Sequence, residues 1–156
     1  KEVTWIPSYG PEMRGGTAHC FVVVSDKPVG SPVVRYPNIG IVFNNPSFEK
    51  YVNEIAPGGL LVVNDSLIEY PCEREDITEL RIKATDIAYE IGDARLTNMV
   101  LLSAMLAARA VLTIDDLRAA VDGHISAHQR NLLPKNFEAI ERGVKAATQA
   151  LNTQPA

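Results

Sequence analysis

Residues 39–63 read IGIVFNNPSFEKYVNEIAPGGLLVV, and this stretch decides the fold. The run 39–43 is almost wholly apolar, as suits a strand covered on both faces. Asn45-Pro46-Ser47 then opens a short helix, with Ser47 or Asn45 as the expected N-cap and Pro46 in the first turn. Phe48, Tyr51, Val52 and Ile55 fall at helical spacing. Pro57-Gly58-Gly59 stops the helix, and Leu60-Leu61-Val62-Val63 is a second buried strand directly after the stop. Strand, helix and strand in so short a span form the unit that builds a parallel sheet.

Working outward, residues 3–6 are a short β-prone run and 17–25 a second strand, in which Phe21 to Val24 is continuously apolar and is expected to be covered on both faces. Residues 26–32 read as a turn. Beyond Asn64 a polar connection leads to a strand at 80–84. Thr85 is expected to cap a helix that Gly92 ends. Residues 97–109 are apolar on nearly every side, which predicts a central buried helix or one covered by a subunit. Thr113-Ile114-Asp115-Asp116 has the form of a capping box opening a helix to about Asp122. A last helix, 136–151, places Phe137, Ile140, Val144, Ala147 and Leu151 on one face. The sum is a single α/β domain over residues 1–151, a three-layer α/β/α sandwich with a mixed, mainly parallel sheet, and a frayed tail at 152–156.

The 156 residues include 15 Lys and Arg against 19 Asp and Glu, for a formal charge of -4. No basic run follows a phosphate backbone, which argues against nucleic acid as a partner. No apolar stretch approaches the roughly 20 residues of a membrane-spanning helix, and no secretory leader is visible, so a cytoplasmic location is expected. The two cysteines, Cys20 and Cys72, are too few to ligate an iron–sulfur cluster, which takes four thiolates, and are expected to be reduced within the core.

Several residue groups invite a chemical reading. His19 and Cys20 are adjacent, but neighbours on a strand point to opposite faces and cannot act as base and nucleophile together. His124 and His128 stand at i, i+4, a spacing that joins two metal ligands on a helix, but Gly123 weakens that helix and solvent-exposed histidines are favoured. Asp115 and Asp116 fit a helix start, and Glu73, Glu75 and Asp76 a solvated loop. No metal site is expected.

The segment Tyr9-Gly10-Pro11-Glu12-Met13-Arg14-Gly15-Gly16 is richer than chain reversal requires. Arg14 can grip a phosphate or carboxylate with two parallel hydrogen bonds, while Gly15 and Gly16 let backbone N–H groups approach the same anion. An Arg14–Glu12 ion pair in a structural or interface loop remains the alternative from residues alone.

Residues 8–18, SYGPEMRGGTA, closely resemble the motif of gamma subunits of 2-oxoacid:ferredoxin oxidoreductases, the domain III family of pyruvate:ferredoxin oxidoreductase. The likeness continues through Val23-Val24-Ser25-Asp26, Gly30-Ser31-Pro32, Asn45-Pro46-Ser47, Pro57-Gly58-Gly59-Leu60 and Asn98-Met99-Val100, and covers most of residues 3–144. The Gly-Pro-Glu-Met-Arg-Gly-Gly form looks most like the 2-oxoglutarate or branched-chain enzymes and less like the pyruvate or indolepyruvate types.

That resemblance implies a subunit, inactive alone, of a complex that oxidatively decarboxylates a 2-oxoacid with coenzyme A to give acyl-CoA, CO2 and reduced ferredoxin. Thiamine diphosphate, magnesium and the iron–sulfur clusters would lie on partner subunits, and no residue of this chain would be catalytic. Tyr9, Gly10, Pro11, Glu12, Arg14, Gly15, Gly16 and Thr17 would form a cofactor-binding or subunit-interface loop, with Asn45, Ser47 and Asn98 as secondary contacts. Family members usually begin with a strand, a G-x-G-G-Q-G turn and a helix before the equivalent of Val3, and no such segment precedes Val3 in this sequence. A stand-alone nucleotide or acyl-CoA binding module and a purely structural assembly subunit are the competing functions.

Overall fold

The computed structural model describes residues 1–8 and 17–153, which group into two compact units, residues 1–37 and 38–156. In the first unit, β1 (Glu2–Ser8) pairs antiparallel with β2 (His19–Ser25) in a two-stranded ribbon. The register runs from Glu2 opposite Ser25 to Ser8 opposite His19, so residues 9–18 join the last pair. Exposure alternates from Val3 to Ser8 and from His19 to Val23, as the two-residue side-chain period of a strand dictates. The expectation that Phe21 to Val24 is covered on both faces is therefore corrected. A two-stranded ribbon has no second layer for its outer face, and Val22 is 56% exposed.

The second unit is built on three parallel strands in the order β3 (Ile39–Val42), β4 (Leu60–Asn64), β5 (Thr78–Ile82). Central β4 is buried at all five positions and serves both layers. Leu60 and Val62 point into a core with Leu80, Ile82, Ala88, Val100 and Ala104, while Leu61 and Val63 point into another with Val42, Phe48, Ile55 and Ile68. The first core lies under α2 (Ala84–Ile91), α3 (Thr97–Ala108) and α5 (Leu133–Thr153). The second lies under α1 (Asn45–Tyr51) and the connection that follows β4. This is the expected three-layer α/β/α arrangement with a mainly parallel sheet, the antiparallel pairing being confined to the ribbon. α4 (Ile114–His124) adds a flank in which Leu117 packs with Leu106 and Ile140.

Several boundaries differ from expectation for identifiable reasons. Asn44, rather than Asn45 or Ser47, caps α1: its Oδ1 accepts the Ser47 N–H at 3.1 Å, which places Pro46 in the first turn where no donor is needed. β5 lies two residues earlier than expected, because its register with β4 starts at Thr78 opposite Leu60 and the helix takes over at Ala84. Thr85 does not cap α2 from the N-cap position, which is Lys83. Helix α5 begins before Asn136 and carries Pro134 in its first turn, a position that tolerates proline. It also runs past Leu151 to Thr153, and residues 154–156 lie outside the described ones.

The Pro57-Gly58-Gly59 stop is a matter of geometry. Gly58 has φ +74, and a Cβ on Gly59 would lie 2.6 Å from Ile55 Cγ2 and 2.7 Å from the Ala56 carbonyl oxygen. Arg74 clasps the same corner. Its guanidinium donates to the carbonyls of Val52 and Ile55 at 3.0 and 2.7 Å and bidentately to Asp76, whose backbone carbonyl accepts the Gly58 N–H. Asp76 is thus part of a structural clasp rather than a freely solvated loop acid. The hydrogen bonds from Arg74 hold its carboxyl below the usual carboxylate range.

Candidate functional site

In an open parallel sheet the ends that emit loops into a crevice are the carboxyl ends of the strands. Here that edge is organised by Asn64, the last residue of β4, which is fully buried. Its Nδ2 donates to the Phe43 carbonyl at 3.2 Å and to Thr85 Oγ1 at 2.9 Å, and its Oδ1 accepts the Thr85 N–H at 3.3 Å. Ser66 Oγ accepts the next N–H, that of Asp86, at 3.1 Å. The first amides of α2 are therefore satisfied by the loop after β4, which explains why the helix needs no cap of its own. Thr97 Oγ1 donates to the Ala94 carbonyl and lies 3.5 Å from Thr85 Oγ1, extending the network to the start of α3.

Of the residues singled out in the sequence, Asn45 and Ser47 follow β3 at the opening of α1 and Asn98 is the second residue of α3. The chain of contacts Phe43, Asn64, Thr85, Thr97 ties both places to one edge of the sheet. Ser47 and Asn98 are engaged locally: the Ser47 N–H by Asn44, and Asn98 Oδ1 by the Met99 N–H at 2.8 Å. Asn45 Oδ1 is enclosed without a hydrogen-bond partner. Thr17 is partly buried just before β2, and Tyr9 to Gly16 lie outside the described residues. Asn64 was missed from sequence. The available signal was a polar residue ending an otherwise apolar strand and followed by another polar one, Asp65.

A second polar cluster lies beside β5. Arg81 donates to Asp65 Oδ1 at 2.6 Å, to Glu79 Oε1 at 2.8 Å and to the carbonyls of Tyr70 and Ile68. Burial works against the charge, but the hydrogen bonds and proximity of Asp65 and Glu79 outweigh it and raise the guanidinium pKa. All three of its nitrogens serve protein acceptors, and two carboxylates face one guanidinium. The cleft that holds Cys72 against this cluster is therefore not built to receive an anion.

The other groups resolve structurally. His19 and Cys20 lie on opposite faces of β2, and the His19 ring meets Phe21 edge-on at 5.2 Å. Both thiols are free, Cys72 is half-buried and Cys20 is exposed, so the expectation that both lie in a core is corrected for Cys20 by its place on the open face of the ribbon. His124 ends α4, where its Nδ1 is 2.8 Å from the Ala120 carbonyl, and His128 belongs to the next 3-10 turn beyond an extended Ile125. They share no helix face. Thr113 and Asp116 complete the expected capping box, and the Thr113 hydroxyl and backbone N–H lower the Asp116 pKa. Among the described residues no group of three or more His, Cys, Asp or Glu is placed to hold a metal ion, and no helix is long and apolar enough to cross a membrane.

The comparison with known proteins agrees with this architecture. The family model described as pyruvate ferredoxin/flavodoxin oxidoreductase matches residues 1–146. The ketoisovalerate oxidoreductase subunit VorA of Methanothermobacter marburgensis is 30% identical over 152 residues, which are 97% of this chain but 31% of VorA. The chain thus spans about a third of the length of that relative. The 2-oxoglutarate synthase subunit KorC of Methanocaldococcus jannaschii is 30% identical over 151 residues, covering 96% of this chain and 79% of KorC. Among solved structures, the gamma subunit of a keto/oxoacid ferredoxin oxidoreductase from Geobacter sulfurreducens superposes with a TM-score of 0.79 at 22% identity, over 96% of this chain and 82% of that one. A match along nearly the whole sequence and a shared fold place the chain in the pyruvate ferredoxin/flavodoxin oxidoreductase family.

Proposed function

We propose that the chain is the gamma-type subunit of a multisubunit 2-oxoacid:ferredoxin oxidoreductase working in the cytoplasm. In that reaction the bond between C1 and C2 of the oxoacid breaks, CO2 leaves, the acyl carbon forms a thioester with the coenzyme A sulfur, and two electrons pass to ferredoxin. Thiamine diphosphate with its magnesium and the iron–sulfur clusters belong to companion subunits. The observation that carries the reading is the family match over residues 1–146, which includes the motif at residues 8–18.

The geometry supports a division of labour within the chain. The carboxyl edge of the sheet is closed on itself by Asn64 and Ser66, and Arg81 is consumed by Asp65 and Glu79. In this reading the chemistry that faces a partner or a ligand is that of Tyr9, Glu12 and Arg14, together with Gly10, Pro11, Gly15, Gly16 and Thr17. On the same reading Arg14 meets an anionic group of coenzyme A or of a companion subunit, with Asn45, Ser47 and Asn98 as secondary contacts. As the oxoacid we propose 2-oxoglutarate. The form of the loop motif supports it together with the branched-chain alternative, and the relatives include subunits named for each.

The test is reconstitution. The chain with its companion subunits should reduce ferredoxin in a 2-oxoacid- and coenzyme A-dependent manner, fastest with 2-oxoglutarate in a panel that includes branched-chain oxoacids, and the chain alone should not. Arg14→Ala should lower the rate at least about tenfold, the scale of one lost charge-assisted contact. Full activity in that variant removes Arg14 from the site. Micromolar coenzyme A binding by the isolated chain would instead favour a stand-alone module.

A further inference from the structure

We draw no further inference here: the strongest candidate, the exposed apolar face of the β1–β2 ribbon around Trp5 and Val22, carries none because nothing among the described residues shows what covers it.

Discussion

At the scale of single residues, the carboxyl edge of the sheet depends on one side chain. Asn64 offers two donors and one acceptor, and the three groups it serves, the Phe43 carbonyl, Thr85 Oγ1 and the Thr85 N–H, belong to segments 21 residues away on either side. Leucine at this position has similar volume and none of these bonds. The Thr85 N–H and the Phe43 carbonyl would lose a partner beside a fully buried side chain, each at a cost of about 1–3 kcal/mol. Asn64→Leu should therefore lower the urea unfolding free energy by about 2–4 kcal/mol, a larger loss than any exposed substitution on α4. A loss under about 1 kcal/mol would mean that water reaches the edge and that Asn64 does not close it.

At the scale of elements, the decisive contact is between α3 and α5. Gly143, buried in the middle of α5, lets the two helices approach until a Cβ at that position would lie 2.1 Å from Ser103 Oγ and 2.4 Å from the Val100 carbonyl oxygen. The Val100 carbonyl oxygen and the Val100 Cα, which would lie at 3.0 Å, are backbone atoms of α3 and cannot turn aside. Alanine is the better helix former by about 1 kcal/mol, yet Gly143→Ala should destabilise the unit by about 1–3 kcal/mol net, because overpacking exceeds the propensity gain. A rise in thermal midpoint for this variant would show that the helices part without cost.

These two cases also show what the sequence made legible. The β3–α1–β4 unit was readable because its apolar runs, proline and glycines sit in one short span, and the apolar surround of Val100 and Leu101 correctly indicated a central helix. Gly143 was invisible, since a glycine among helix formers carries no mark of the neighbour that excludes a Cβ. Caps were misplaced where a long-range partner does the work, as Asn64 does for Thr85. The Phe21 to Val24 run misled for a related reason: continuous apolarity signals cover on both faces but not whether the same chain supplies it. Arg14 and its loop stood out through chemistry and family likeness.

At the scale of the whole molecule, stability should be unevenly distributed. Strand β4 is paired on both sides and covered on both faces, so its amides are freed only when the three layers come apart. The β1–β2 ribbon has two open edges and an exposed apolar face, and two-stranded ribbons are at best marginally stable in water. Hydrogen exchange on the free chain should accordingly show the amides of Leu61, Val62 and Val63 protected to the global unfolding free energy. Those of Trp5, Phe21 and Val23 should exchange at least about a hundredfold faster through local opening. Equal protection would show a single cooperative unit. On assembly with companion subunits the ribbon amides should slow toward the rate of β4 if a companion covers that apolar face. Slowing confined to the second unit would mean that the complex is held by its helices instead.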